Sequence, residues 1–248
     1  MTGLRTKVDS RSALGRLMRA PLKALPENTV VRALSGPMIG MRWIVGSSPH
    51  GAWLGTLERE KLRSFVAQIK RGMTVWDIGA NVGLYTLPSA RAAGENGRLY
   101  AFEPLVRNCE YLRSHILLNK LSNVVVVPTA VYDAAESIRM AAGDSPSEFH
   151  LDPHGEVTVP AVGLDAWRTA TNSPPPNAVK IDVEGAEAGV LRSGSETFSR
   201  YKPLVYLALH GENQRRECHE LLTGWGYEIK CEAGIPLSAS SEWTAKAS

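Results

Sequence analysis

Short apolar runs alternate along this chain with segments of helical period. Mostly apolar runs at 74–78, 98–102, 124–127, 178–183 and 204–209 predict strands of a buried sheet. The third run has no polar alternation, which indicates a strand buried on both faces. The segments between the first three runs place apolar residues every three or four positions, which is typical of helices. This β-α-β-α-β order favours an α/β fold with a mostly parallel sheet flanked by helices.

The remaining elements follow from period and turn residues. Helices are predicted at 53–69, 81–93, 104–120, 186–192 and 213–225. The region 133–167 does not continue the alternation of strands and helices. Short predicted strands on both sides of a polar loop at 143–155 indicate a hairpin insertion or an edge strand. A last, more polar strand at 227–232 is expected to run antiparallel at the edge of the sheet.

Residues 51–236 therefore form one predicted domain between two extensions. Residues 1–50 carry a net charge of +6, whereas the whole chain carries +3. This basic N-terminal extension is expected to be a helical lid or a partly ordered arm, with a short helix at 11–20. Residues 11–23 could instead contact a membrane surface or an acidic partner. Residues 237–248 show no periodicity and are expected to form a flexible tail.

Composition narrows the class of protein. The 248 residues are 44% hydrophobic, which is enough for a substantial core. No nucleic-acid partner is expected, because the net charge is small and the part after residue 50 is net acidic. Three cysteines without metal-ligand spacing, and the lack of an apolar run of ~18 residues, predict a cytoplasmic protein with no transmembrane segment. The oligomeric state stays open.

The segment 74–86 predicts a strand, a tight turn and a helix, an arrangement that binds nucleotide-like ligands at the turn. Gly79, Asn81 and Gly83 belong to the turn, and Asp77 precedes it. A pyrophosphate would be repelled by that carboxylate, whereas a ligand with an ammonium and a sulfonium group would be attracted. S-adenosylmethionine is such a ligand. The turn also lacks the middle glycine of the dinucleotide motif GxGxxG.

In open α/β sheets, ligands bind outside the carboxyl ends of the strands. The residues expected at those ends are Glu103, Ala130, Asp182, Glu184 and His210. Glu103 lies 24 residues after Gly79, where a carboxylate can accept two hydrogen bonds from the hydroxyls of a ribose. Alternatively, Glu103 has only a structural role, because an acidic side chain is favoured near the N-terminus of a helix. Ala130 is expected beside the cofactor.

The reaction centre is expected where Lys180, Asp182 and Glu184 alternate along one strand and would share a face. Asp182 could hold the sulfonium side of the cofactor, orient the acceptor hydroxyl or help to bind a divalent ion such as Mg²⁺. A structural ion pair with Lys180 is the alternative. His210 suits proton removal, because the pKa of histidine is ordinarily about 6.5. Metal dependence stays open, since a third ligand is not evident.

Three segments resemble the FkbM family of S-adenosylmethionine-dependent methyltransferases. They are VWDIGANVGLYT at 75–86, AFEP at 101–104 and KIDVEGAE at 180–187. In addition, LDAW at 164–167 is similar to the Leu-Asp turn that precedes the KIDVEGAE segment in the family. The resemblance implies a class I (Rossmann-like) methyltransferase fold, with Asp77, Gly79 and Glu103 around the cofactor. It also implies methylation of a hydroxyl of a small-molecule natural product, sugar or glycolipid. The first fifty residues lie outside it.

The chain departs from the family pattern at the end of the fifth predicted strand, where members of the family often carry Glu-x-His. The strand end here is Ala208-Leu209-His210, so another group must orient His210 or His210 does not act as the base. Lys180 and Glu184 are further candidates for catalytic groups. Two other functions stay open: a non-catalytic cofactor-binding module that acts through its basic N-terminal arm, and a nicotinamide-dependent oxidoreductase, against which Asp77 argues.

Overall fold

Residues 25–133, 136–142, 149–231 and 235–247 are described by the computed structural model of the chain. The strands of this part are β1 (Val30–Arg32), β2 (Arg42–Ile44), β3 (Thr74–Ile78), β4 (Arg98–Phe102), β5 (Val124–Val127), β6 (Ala130–Val131), β7 (Ser137–Ala142), β8 (Phe149–Leu151), β9 (Val157–Val162), β10 (Ala178–Ile181), β11 (Leu204–Ala208), β12 (Tyr227–Lys230) and β13 (Glu242–Ala247). The α-helices are α1 (Gly51–Leu54), α2 (Arg59–Gln68), α3 (Thr86–Ala93), α4 (Val106–Leu118), α5 (Leu164–Thr171), α6 (Glu187–Ser193), α7 (Ser195–Tyr201) and α8 (Glu212–Gly224).

Seven strands form the main sheet, in the order β12-β13-β11-β10-β3-β4-β5. The five strands from β11 to β5 pair in parallel, and β13 runs antiparallel to both of its neighbours. The chain leaves β3 for β4 and β5 on one side and later returns to β10 and β11 on the other. The sheet therefore has its topological switch point between β3 and β10, where open α/β sheets bind ligands. The predicted mostly parallel α/β fold is confirmed.

Alternate residues of β3 enter cores on opposite faces of the sheet. Trp76 and Ile78 pack into one core, and Val75 packs into the other. All five residues of the strand are buried. Burial on both faces explains why a central parallel strand is an almost unbroken apolar run. Asp77 is the one charged residue in this run, and it lies on the same face as Val75.

A second sheet of four strands follows β5, in the order β6-β9-β7-β8. β7 pairs antiparallel with β8 and β9, as the predicted hairpin insertion requires, and β6 pairs parallel with β9. Ala130, Ile138 and Met140 belong to its small core. The insertion is therefore a separate layer with its own apolar contacts, and it does not extend the main sheet.

β5 is an edge strand of the main sheet, so the expected burial on both of its faces is wrong. Val125 is 42% exposed, and only the last residue of the strand is fully buried. A β-branched run fits an edge strand as well as a central one, because both need the same extended backbone. The sequence pattern could not distinguish the two positions.

Two predicted helices are shorter than expected, because the backbone takes positive φ angles within them. The segment 53–69 breaks after α1 at Gly55 (φ 73°), and Glu58 (φ 46°) precedes α2. The helix expected from residue 81 begins only at Thr86, since Asn81 (φ 50°) and Gly83 (φ 105°) keep the preceding turn out of a helical conformation.

Residues 25–50 form a hairpin and two short 3₁₀ turns in place of the expected helical lid or arm. Trp43 in β2 is fully buried and stacks on His115 of α4, with ring centroids 4.1 Å apart. His115 Nδ1 donates to the Val82 carbonyl (2.8 Å), and its Nε2 accepts a hydrogen bond from the Ile44 N–H (3.0 Å). Burial lowers the pKa of His115 to about 4, in accord with a neutral ring.

This part of the basic extension is thus packed into the domain. The predicted helix at 11–20 and the membrane contact of 11–23 lie outside the described residues.

The expected flexible tail is wrong for half of its length, because Glu242–Ala247 is β13, an inner strand of the main sheet. Trp243 and Ala245 alternate inward and are at most 2% exposed. β13 also separates β12 from β11, so β12 lies at the edge as predicted but points in the same direction as the parallel strands. Pairing on both sides satisfies the backbone polar groups of this segment.

None of the helices in the described ranges combines the length and the apolar character that crossing a membrane demands.

Because β13 is an inner strand, we expect Trp243→Ala to lower the free energy of unfolding by about 3–5 kcal/mol, the usual cost of removing a buried aromatic side chain. Urea denaturation followed by circular dichroism measures this change. Lys246→Ala, at an exposed position of the same strand, is the matched control and should stay within about 0.5 kcal/mol of the parent chain. Equal stability of all three proteins would show that the tail is not part of the sheet.

Candidate active site

The carboxyl ends of β3, β4 and β10 open into a cavity of about 250 Å³. One side is formed by the turn after β3 and by the residues that follow β4 and β10. The opposite side comes from the N-terminal segment and the second sheet. Of the residues predicted from the sequence, the cavity is lined by Gly79, Asn81, Glu103, Ala130, Lys180, Asp182 and Glu184.

The turn after β3 requires glycine at position 79. Gly79 has a φ of +76°, and a Cβ added there would lie 1.9 Å from the carbonyl oxygen of Asp182. The N–H groups of Gly79 and Ala80 both donate to the Phe102 carbonyl of β4 (3.0 Å each). Glycine is needed because two strand ends approach each other more closely than a side chain permits. Gly83 is needed farther along the same turn, since its Cβ would meet Leu112 at 2.8 Å.

Asp77 lies behind the cavity and not at its mouth. Its side chain is 1% exposed, and its Oδ2 accepts a hydrogen bond from the Thr86 hydroxyl (2.6 Å). Its Oδ1 lies 3.5 Å from Lys180 Nζ. The expectation that this carboxylate meets the ligand directly is therefore replaced by a structural role. Asp77 balances the charge of Lys180 beneath the turn.

Lys180 joins the ends of β3 and β10. Its ammonium donates to the Gly79 carbonyl (2.8 Å) and lies 3.7 Å from the Asp182 carboxylate. Burial lowers the pKa of Lys180, but the carboxylates of Asp77 and Asp182 outweigh it, so the pKa is raised overall. The lysine is therefore a fixed cation and a poor candidate for a base. It also lies 5.1 Å from the centre of the Tyr85 ring.

Glu103 is held in place by three protein donors. Its Oε2 accepts from the Asn81 N–H (2.8 Å), and its Oε1 accepts from the Leu105 N–H (3.0 Å) and from Asn108 Nδ2 (3.2 Å). Burial raises the pKa of Glu103 even though these hydrogen bonds oppose the shift. A carboxylate offers about four acceptor positions, so roughly one remains, on Oε2. This leaves an acceptor position on Oε2 for a ligand.

Asp182 and Glu184 line the cavity, and His210, which is not one of its lining residues, lies beside Glu184. We call these three residues the rim cluster. Their candidate ligand atoms all lie within 4.8 Å of one another. β10 ends at Ile181, so Asp182 and Glu184 do not continue an extended strand as expected. Glu184 has a φ of 51°, and its Oε2 lies 3.2 Å from His210 Nε2.

Glu187 orients His210, a role that no sequence motif indicates. Its side chain is fully buried, and its Oε1 lies 2.7 Å from His210 Nδ1. This contact raises the pKa of His210, with a further contribution from Glu184 and against the effect of burial. Glu187 therefore supplies the carboxylate that the Glu-x-His pattern would have placed before the histidine. It belongs to the KIDVEGAE string, but nothing in the string shows that it reaches β11.

The N-terminal segment contributes cavity residues that sequence motifs did not indicate. Trp43 and Glu58 line the cavity, together with Tyr85 from the turn after β3. Burial and the neighbouring Glu58 raise the pKa of Tyr85, so its hydroxyl stays protonated. Residues 43 and 58 lie outside the three matching segments: Trp43 belongs to the hairpin strand β2, and Glu58 precedes α2.

Two properties of the cavity suit S-adenosylmethionine: its acidic lining and a buried hydroxyl that can bind a ligand. Its charged lining residues are four carboxylates and one lysine, namely Glu58, Glu103, Asp182, Glu184 and Lys180. Such an excess of acid favours a cofactor with a sulfonium and an ammonium group over one with a pyrophosphate. The hydroxyl of Thr129, which also lines the cavity, is buried without a hydrogen-bond partner among the described residues. It is available to a ligand.

This fold and site define an S-adenosylmethionine-dependent methyltransferase. Residues 77–229 match the model of the methyltransferase FkbM domain. The chain therefore belongs to the FkbM methyltransferase family. The sequence-based family assignment is confirmed, and it leaves no support for a non-catalytic module or for a nicotinamide-dependent oxidoreductase.

Relatives agree with this assignment. The hexuronic acid methyltransferase AglP of Haloferax volcanii is 22% identical over 170 residues, which cover 67% of this chain and 68% of AglP. The structure of methyltransferase FkbM from Methylobacillus flagellatus KT is 17% identical with a TM-score of 0.53, over 74% of this chain and 46% of that one. A SAM-dependent O-methyltransferase from Thermotoga maritima is 12% identical with a TM-score of 0.50, over 90% and 87%. At these identities the structures show a shared class I fold.

If Glu103 binds the ribose, we expect Glu103→Gln to weaken S-adenosylmethionine binding roughly 10- to 100-fold. A hydrogen bond to a charged group contributes about 1.5–3 kcal/mol, and glutamine keeps the shape without the charge. Isothermal titration calorimetry measures the affinity, and circular dichroism shows whether the variant folds. Glu110→Gln, at an exposed position on α4, is the matched control and should bind normally. Parent-like affinity in a folded Glu103→Gln protein would remove Glu103 from the cofactor site.

Proposed function

We propose that the chain transfers a methyl group from S-adenosylmethionine to a hydroxyl of a small, sugar-like acceptor. The observation that carries this proposal is the rim cluster, which brings two carboxylates and an imidazole together next to the cofactor cavity. Groups of this kind bind a hydroxyl and accept its proton. AglP, a methyltransferase of hexuronic acids by its name, supports a sugar as the acceptor class.

The cofactor-binding part of the proposal assigns Glu103, Gly79 and Asn81 to the wall that holds S-adenosylmethionine. The Glu103 carboxylate would accept a hydrogen bond from a ribose hydroxyl through its remaining position on Oε2. Gly79 allows the backbone to approach closely, and Asn81 fixes Glu103 through its N–H. Ala130 would border the cofactor from the second sheet. Lys180, which also lines the cavity, holds the turn through the Gly79 carbonyl.

When bound, the cofactor supplies an electrophilic methyl group: its carbon–sulfur bond breaks with the electron pair on sulfur, and the acceptor oxygen forms the new bond to carbon. The task of the chain is to position the hydroxyl and to remove its proton. Asp182 lines the cavity and is the residue that we expect to contact the hydroxyl. The proton acceptor is Asp182 or His210, since both belong to the rim cluster.

The acceptor is expected to enter between the rim cluster and the second sheet. Ile138, Met140 and Leu151 present an apolar wall there, opposite the charged strand ends. A wall of this kind suits the ring of a sugar or of another compact natural product better than a nucleic acid strand, which requires basic groups. A cytoplasmic location and a small-molecule acceptor remain predictions.

We expect Asp182→Asn to lower turnover by at least ~100-fold, the scale of a positioned acid–base group, with little change in cofactor affinity. The assay follows transfer of a labelled methyl group to a panel of hydroxylated acceptors that includes hexuronic acids, hexoses and polyketide alcohols. Glu220→Gln, at an exposed position of α8, controls for a general loss of negative charge.

Two outcomes would contradict the proposal. Labelling of nitrogen-bearing acceptors alone would exclude a hydroxyl, and unchanged turnover of the Asp182→Asn protein would remove Asp182 from the reaction centre.

A further inference from the structure

We propose that the rim cluster of Asp182, Glu184 and His210 binds one divalent metal ion. The sequence offered two carboxylates and no third ligand. The structure adds His210, which comes from the end of a different strand, and it brings one candidate ligand atom from each residue within 4.8 Å of the others. The binding site stands on this geometry alone, whereas its role in methyl transfer rests on the proposed function.

The geometry of Glu184 favours a metal site. β10 ends at Ile181, and the positive φ of Glu184 (51°) turns the chain so that its side chain comes back toward β11. Its Oε2 then lies 3.2 Å from His210 Nε2. Asp182, one position beyond the strand end, presents its carboxylate to the same place. Two oxygen donors and one nitrogen donor are thus held by two neighbouring strand ends.

The buried carboxylate of Glu187 provides a second, independent observation. A carboxylate can only accept hydrogen bonds, so His210 Nδ1, which lies 2.7 Å from Glu187 Oε1, carries the proton. The Gly185 N–H also donates to this oxygen (2.9 Å). This leaves His210 Nε2 on the side of Glu184 and Asp182. Histidines that bind metals usually donate their other N–H to a carboxylate in this way, because it fixes the tautomer and the orientation of the ring.

The charge of this region favours a cation. Glu187 is fully buried, and its Oε2 has no hydrogen-bond partner among the described residues. Lys180 lies 3.7 Å from Asp182 and is shared with Asp77. A divalent ion at the rim cluster would add positive charge next to these carboxylates.

Mixed carboxylate and imidazole ligands suit Mn²⁺, Fe²⁺ or Zn²⁺, and we use Mn²⁺ as the probe because it also tolerates oxygen-rich sites. Three protein ligands leave coordination positions for oxygen atoms of the acceptor. A bound divalent ion lowers the pKa of a coordinated hydroxyl and would also let an anionic acceptor approach the acidic rim. His210 would then be a ligand, and its imidazole would not need to act as the base.

The test is a titration of the full chain with Mn²⁺ after treatment with EDTA, without cofactor or acceptor. Electron paramagnetic resonance follows the loss of the free Mn²⁺ signal. We expect saturable binding of one ion per chain. Glu184→Gln and His210→Ala should abolish that site, and Glu187→Gln should weaken it roughly 10- to 100-fold, as expected for a residue that acts through a ligand.

Glu212→Gln is the matched control, because Glu212 is exposed and lies two residues beyond His210 but outside the rim cluster. It should bind Mn²⁺ like the parent chain. Circular dichroism and thermal unfolding show that each variant still folds. Absence of saturable Mn²⁺ binding, or an equal loss in Glu212→Gln and Glu184→Gln, would overturn the inference. A protonated His210 paired with Glu184 and Glu187 would then explain the contacts.

Failure of the inference and failure of the proposed function give different results. Methyl transfer to a hydroxyl that persists in EDTA, together with no Mn²⁺ binding, would remove the metal site and keep the O-methyltransferase. Mn²⁺ binding that depends on Glu184 and His210, without transfer to any hydroxyl, would keep the metal site and remove the proposed acceptor.

Discussion

The contact between Lys180 and the Gly79 carbonyl is the interaction on which the rest of the site depends. A buried ammonium is costly unless charges and hydrogen bonds surround it, and here Asp77 on β3 and Asp182 after β10 supply the charges. The same contact fixes the backbone of the turn at the topological switch point of the sheet. Because the turn is fixed, its N–H groups and Glu103 keep their places around the cavity without the ligand.

Asp77 and Glu187 are buried carboxylates that serve different purposes. Asp77 and Lys180 lie beneath the turn and hold the cofactor side together. Glu187 lies beneath the rim and holds His210 on the acceptor side. Asp77 therefore positions Lys180, which lines the cavity, and Glu187 positions His210 of the rim cluster. This division explains why the strand ends carry more ionisable residues than a methyl transfer by itself requires.

The N-terminal segment and the second sheet complete the cavity from outside the motifs. Trp43 is anchored by stacking on a neutral His115, and Glu58 reaches the cavity next to Tyr85. Ile138 and Met140 come from a layer with its own small core. The strand ends of the class I fold are thus enclosed by the N-terminal segment and the second sheet. These two parts are where acceptor preference can be set.

The sequence by itself determined the α/β fold, the positions of the parallel strands along the chain and the residues near their carboxyl ends, because apolar runs and glycine turns depend on local geometry. It also identified Glu103, Asp182 and His210, since strand ends of one sheet converge. Only the tertiary structure decided that Asp77 is buried behind the turn, that β5 is an edge strand and that residues 242–247 form an inner strand. It alone showed that Glu187 replaces the missing glutamate before His210. These features depend on which segments become neighbours, and periodicity along the chain contains no information about distances across it.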